Sequence, residues 1–229
     1  MAEHRPPTRD ALPPPGASVY LLGIAGAGMS GLAVLLAAQG YRVSGSDAQL
    51  TPESRNLERH GVRLVDSRDT EAAARSDLVV HTSAAPADHP VLVAASAAGV
   101  PILKRARAMG ALLNDRRLIA ISGTHGKTTV TAMTARVAAA GGFDPMVLVG
   151  GRVDEWDGNA RVGSGIAIAE ADEYDRSFLQ LDPSLAVITS VEPEHLECYR
   201  DLDHLRDSFR EFAARASERA RARSSGRSS

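Results

Sequence analysis

The chain has 229 residues, 44% hydrophobic but only 4% aromatic, so Ala, Val, Leu and Ile must fill whatever core it builds. Its 26 basic and 28 acidic residues leave a formal net charge of -2, without the basic surplus of a nucleic-acid binder. No apolar run approaches the ~20 residues a membrane helix needs, the polar, Pro-rich start lacks the apolar stretch of a signal peptide, and a single cysteine, Cys198, excludes an internal disulfide. A soluble cytoplasmic protein is expected, with one large domain or two modest ones.

Residues 1–17 read as a disordered leader. Val19-Tyr20-Leu21-Leu22 is a short apolar run stopped by Gly23, as in a buried strand. A helical stretch from Met29 to Gln39 follows, with Gly40 as its C-cap. Tyr41 to Ser44 predicts a second strand, Ser54 to His60 a short helix closed by Gly61, and Val62 to Val65 and Leu78 to His81 further strands. A helix over His89 to Ala98, a strand over Pro101 to Leu103 and a helix over Arg105 to Leu113 complete an alternation that argues for a parallel, doubly wound sheet. Polar Asn114-Asp115-Arg116-Arg117 marks a junction, dividing residues 18–114 from 115–215. The pattern then restarts: strand Leu118 to Ser122, helix Thr128 to Ala140, strands Met146 to Val149, Ile166 to Ala169 and Leu185 to Thr189, and a helix from Asp201 to about Arg215. Residues 216–229, almost all Ser, Arg, Ala, Glu and Gly, predict a disordered tail.

Two glycine loops carry the chemistry. Gly26-Ala27-Gly28-Met29-Ser30-Gly31 fits G-x-G-x-x-G between a strand and a helix, where glycines let a phosphate approach backbone N–H groups. Asp47 ends the next strand, about 20 residues on, where a ribose-binding acid sits in dinucleotide sites. This motif alone leaves the nucleotide open, NAD included. Gly123-Thr124-His125-Gly126-Lys127-Thr128-Thr129 is more specific, since it ends in Gly-Lys-Thr between a buried strand and a helix. Its N–H groups and helix dipole attract phosphate oxygens. Lys127 is expected to reach the β- and γ-phosphates of ATP, and the Thr128 hydroxyl to ligate Mg²⁺. Ile121 stands where a longer phosphate loop has glycine, so the loop is a shortened variant.

Glu170-Ala171-Asp172-Glu173-Tyr174-Asp175 follows an apolar strand, and acids there are either Mg²⁺ ligands beside the phosphate loop or a solvated turn. Glu192-Pro193-Glu194-His195 follows the next strand, and its histidine, taken alone, reads more readily as a surface residue than as a ligand or base. Trp156 and Cys198 carry no assigned role.

In their order along the chain, these motifs resemble the Mur ligases. The resemblance runs from about Ser18 to Phe212 and includes Gly23 to Gly31, Ser44-Gly45-Ser46-Asp47, Thr82-Ser83-Ala84, Gly123 to Thr129, Gly150-Gly151, Asn159-Ala160-Arg161, Glu170 to Glu173, Ser177-Phe178-Leu179 and Glu194-His195. It implies an α/β fold: a Rossmann-like parallel-sheet N-terminal domain that holds a UDP-linked sugar, then an ATP-binding central ligase domain with a phosphate loop. The implied substrates are ATP, UDP-N-acetylmuramate and L-alanine. The implied roles place Lys127, Glu170 and His195 in catalysis, Gly123 to Thr129 on ATP, and Thr128, Glu170 and His195 on Mg²⁺. Gly26, Gly28, Met29, Ser30, Asp47 and Ser83 fall where the UDP part should bind. Ser190 departs from the usual Asn and Glu194 from the usual Asp. The ending departs further, with the central domain incomplete and a third domain absent, so weak or no ligase turnover is expected of this chain alone. The competing readings are a recycling ligase that attaches a whole peptide to the same UDP-sugar, a non-catalytic binding module, and a nicotinamide oxidoreductase built on the first loop.

Overall fold

Strands of two to five residues pair into one parallel sheet: β1 (Ser18–Leu22), β2 (Arg42–Ser46), β3 (Arg63–Leu64), β4 (Leu78–His81) and β5 (Ile102–Lys104). Their order, β3-β2-β1-β4-β5, is that of a doubly wound α/β sheet. The computed structural model describes residues 12–50, 52–194 and 198–225. These fall into two compact units, one of residues 12–108 and 151–162, the other of 109–150 and 163–225.

In the first unit, α1 (Ala27–Ala38) follows β1 directly and buries Met29, Leu32, Leu35 and Leu36. Short helices α2 (Pro52–Arg55), α3 (Glu71–Ala74) and α4 (Pro90–Ala97) make the other crossovers. Around Tyr20, Leu22 and Val79, side chains of α3 and α4 close one core cluster with Ala73, Val91, Leu92 and Ala95. The sequence predicts a helix over Ser54 to His60; the chain instead forms α2 and then a 3-10 turn, Asn56–His60. The expected disordered leader divides. Residues 1–11 lie outside the described residues, but Leu12 is buried and the Pro13 carbonyl accepts the Tyr41 hydroxyl at 2.8 Å. Consecutive prolines lose little backbone freedom on docking, which lowers the cost of that contact.

In the second unit, β6 (Leu118–Ser122), β9 (Ala167–Glu170), β10 (Leu185–Ile188) and the first part of β7 (Met146–Val153) pair in parallel, with β6 flanked by β10 and β9, and β9 by β7. The helix α5 (Arg105–Leu113) leads into this unit, and α6 (Lys127–Ala140) follows β6. Strand β7 runs longer than the sequence predicts, and β8 (Gly158–Arg161), which the sequence reading missed, pairs with it through the 3-10 turn Asp154–Trp156. So short a connection allows only antiparallel pairing and makes this sheet mixed. Residues 151–162 group with the first unit, where β8 packs on α1.

The last helix, α7 (Leu202–Ser225), also outruns expectation, continuing about ten residues into the predicted Arg/Ser tail. Ala, Arg and Glu are strong helix formers, so that stretch needs no apolar stripe to continue a helix already begun. Its first half docks through Phe209 and Phe212, whose rings lie 5.2 and 5.1 Å from that of Phe178.

Candidate functional site

The second glycine loop joins β6 to α6, and its lysine is fully engaged. Lys127 Nζ donates to the carbonyls of Gly123 at 2.7 Å and Thr124 at 3.2 Å, and lies 3.0–3.1 Å from both carboxylate oxygens of Glu173. Glu173 is 2% exposed. Burial pushes its carboxyl above the ordinary range, against the lowering pull of its own backbone hydrogen bond and of Lys127. The Thr128 hydroxyl donates to Glu170 Oε2 at 2.8 Å, and the Gly150 N–H donates to the same oxygen at 2.7 Å. A Cβ at Gly150 would stand 2.6–3.0 Å from that carboxylate, so only glycine permits the approach. The loop's other wall is residues 189–192, beyond β10. Ser190 Oγ accepts the His125 N–H at 3.2 Å, the Ser190 carbonyl accepts the Thr124 N–H at 3.0 Å, and the Glu192 N–H donates to Thr124 Oγ1 at 2.9 Å. The Ser190 departure thus has a local task, holding the loop backbone.

Thr128 and Glu170 present adjacent hard oxygen donors. Mg²⁺ is commonly held by one or two protein oxygens together with substrate phosphates and water, so the pair fits it. Among the described residues no group of three His, Cys, Asp or Glu side chains gathers as a metal cage. His195 lies outside the described residues.

The first glycine loop edges a cavity of about 200 Å³ within the first unit, lined by Ala27, Ser30, Leu57, Arg152, Trp156 and Asn159 among others. The Ser30 hydroxyl donates to the Ala27 carbonyl at 3.0 Å and lies 3.4 Å from Asn159 Oδ1. Arg152 pairs with Asp154 and Asp157, so its charge is met locally, and the rest of the lining is mostly apolar. Asp47 accepts the N–H groups of Ala25 and Gln49, both at 3.0 Å, and so shapes the glycine loop itself. The Met29 side chain is buried in the core, and Ser83 is exposed just beyond β4. Gly26 caps α1, and a Cβ at Gly28 would collide with the Arg105 guanidinium. Sequence reasoning did not single out Arg105 or the Trp156–Asn159 hairpin, and it weighed Glu173 only among the acids of its segment. Each is distant in sequence from the loop it meets, although Asn159 and Glu173 stand within the quoted family motifs.

The fold and site define a phosphate-loop α/β protein preceded by a doubly wound parallel domain. Residues 18–117 match the Mur ligase family, catalytic domain, and residues 121–222 the Mur ligase middle domain. The chain belongs to the Mur ligase family. It is 41% identical over 220 residues to the UDP-N-acetylmuramate–L-alanine ligase of Myxococcus xanthus, covering 94% of this chain and 46% of that one. The same-named protein of Acidobacterium capsulatum is 45% identical over 198 residues, covering 86% of this chain and 43% of the relative. The chain therefore spans about half the length of the curated relatives it matches. Among solved structures, the UDP-N-acetylmuramate-alanine ligase of Thermotoga maritima superposes with a TM-score of 0.79 at 31% identity, covering 86% of this chain and 46% of that one. The UDP-N-acetylmuramate:L-alanyl-gamma-D-glutamyl-meso-diaminopimelate ligase of Neisseria meningitides gives 0.79 at 26%, covering 87% and 68%.

Proposed function

We propose that this chain carries the ATP and UDP-sugar sites of a ligase that joins L-alanine to UDP-N-acetylmuramate in peptidoglycan precursor synthesis. The observation that carries the reading is the loop Gly123 to Thr129, with Lys127 inside it and Thr128 bonded to Glu170. A carboxylate is a poor acylating agent because oxide leaves badly. In the proposed reaction its oxygen attacks the γ-phosphorus of ATP, ADP leaves, and an acyl phosphate forms. The alanine amine then attacks the acyl carbon, phosphate leaves, and the nitrogen loses a proton. Such transfers need positioning and charge neutralisation rather than an enzyme nucleophile. Lys127 supplies one positive charge. Thr128 and Glu170, with His195 implied by family resemblance, would hold Mg²⁺, which neutralises phosphate charge when bound.

On the UDP-sugar side, the mostly apolar cavity beside Ser30 and Asn159 suits an uncharged part of the substrate. The Arg105 guanidinium against Gly28 supplies a cation beside the loop for the diphosphate. No helix among the described residues is long and apolar enough to cross a membrane. L-alanine is favoured over a peptide as acceptor by the names of the curated relatives.

The test is calorimetric titration of the chain with UDP-N-acetylmuramate, with Mg-ATP and with NAD. Binding of the first two without NAD is the expected result. NAD binding with neither of the others overturns the ligase reading. Mass-spectrometric detection of product with L-alanine against tripeptide, in a full-length relative carrying these residues, separates the two acceptors.

A further inference from the structure

Lys127 has three ammonium protons and three acceptors already in place: the Gly123 carbonyl, the Thr124 carbonyl and Glu173. A lysine so occupied cannot turn to a nucleotide phosphate without releasing one of them. Two are backbone carbonyls of its own loop, fixed by loop geometry. The third is a side chain from another segment, and it is the one with charge.

The segment around Glu173 is built to hold that carboxylate still. Asp175 and Arg176, two and three residues further on, take left-handed backbone angles with φ of 52° and 53°, a costly conformation for two consecutive residues with side chains. The Glu173 carbonyl accepts the Arg176 N–H at 3.0 Å and the Tyr199 hydroxyl at 2.5 Å. Tyr199 is itself 2% exposed, so the clamp is internal. The described groups that face the Glu173 carboxylate include Lys127 at the start of α6, Asp172 from its own segment and Tyr199 from the segment before α7, with Arg176 and Cys198 around Tyr199. Lys127 is the cation among these that lowers the carboxyl's proton affinity.

We propose that Glu173 is a positioning residue for Lys127: its buried carboxylate holds the ammonium in the loop until a nucleotide phosphate takes its place, and it binds a proton when the lysine turns away. The proposal rests on the nucleotide reading above and adds a proton to the binding step. The physical reason is the cost of a buried negative charge that loses its lysine, which a carboxyl group lowers by protonation. Asp172 and the absence of solvent both push the same way once Lys127 turns to phosphate.

The experiment is calorimetric titration of the 229-residue chain with preformed Mg-ATP near neutral pH, in two buffers of different ionisation enthalpy. The wild-type chain should take up about one proton per nucleotide, because a buried carboxylate that loses its lysine favours the neutral form. Glu173→Gln should bind nucleotide with no such uptake. Nucleotide binding by the wild type without proton uptake overturns the proposal. If Mg-ATP does not bind at all, the nucleotide reading fails, and the pair is still tested through the lysine itself. The chain has two lysines, Lys104 and Lys127, so isotope-labelled lysine gives two ammonium signals that Lys104→Arg assigns. The Lys127 signal should be protected from exchange in the wild type and lose at least about tenfold of that protection in Glu173→Gln, as loss of a charge-assisted hydrogen bond requires. Equal protection in the two proteins overturns the proposal without any ligand present.

Discussion

At the scale of single residues, the site depends on what small side chains leave room for. Gly150 lets the Glu170 carboxylate sit against its own N–H while that carboxylate takes the Thr128 hydroxyl. In Gly150→Ala the new Cβ displaces Glu170, and a hydrogen bond to a charged group is worth about 1.5–3 kcal/mol. Mg-ATP affinity should fall at least about 10-fold by calorimetry, with the circular dichroism spectrum unchanged. An unaltered affinity would show that Glu170 is not held where the nucleotide needs it. Phosphate loops announce themselves in sequence because backbone, glycine and lysine act within seven consecutive positions. Glu173 and Gly150 act on Lys127 and Glu170 from far along the chain, and only folding brings each pair together.

At the scale of elements, two contacts fix where strands and helices begin. Asp77 Oδ2 accepts both the backbone N–H and the hydroxyl of Ser18 at 2.7 Å, tying the start of β1 to the residue before β4. These bonds hold the Asp77 carboxyl below its ordinary range. The folded value is the depressed one, so its contribution is present above the unfolded pKa of about 3.9 and is lost as pH falls through the folded value. Asp77→Asn should therefore destabilise the chain at neutral pH, and its deficit relative to wild type should shrink as the solution is acidified through that window. Denaturant melts at several pH values check this, and a pH-independent deficit would mean that charge is not the cause. The second contact is the aromatic cluster under α7. Phe212 is fully buried and stacks on Phe178, so Phe212→Ala should cost about 3–5 kcal/mol, read from urea unfolding of the second unit. The apolar spacing of Leu202, Leu205, Phe209 and Phe212 makes this helix legible in sequence. Its length was not, because the later turns rest on helix propensity rather than burial. Strand β8 escaped notice because Gly-Asn-Ala-Arg has no apolar alternation to signal it.

For the whole molecule, the chain holds two compact units, so its unfolding should not follow a single two-state transition. Under the proposed function, Mg-ATP binds the unit that carries the phosphate loop. At a free concentration 100 times its dissociation constant it should stabilise that unit by about 2.7 kcal/mol and leave the other's transition in place. Scanning calorimetry with and without nucleotide reads this directly, and a rise in both transitions or neither would contradict it. By itself the sequence determined the α/β class, the strand-loop-helix context of both glycine loops and the family, because each is written in local periodicity and contiguous motifs. The tertiary structure decided the partners of those motifs: Glu173 on Lys127, Gly150 on Glu170, Arg105 over Gly28, and the grouping of residues 151–162 with the first unit. Those depend on which side chains meet across sheets and loops, and contacts between residues distant along the chain leave no period in the sequence from which to read them.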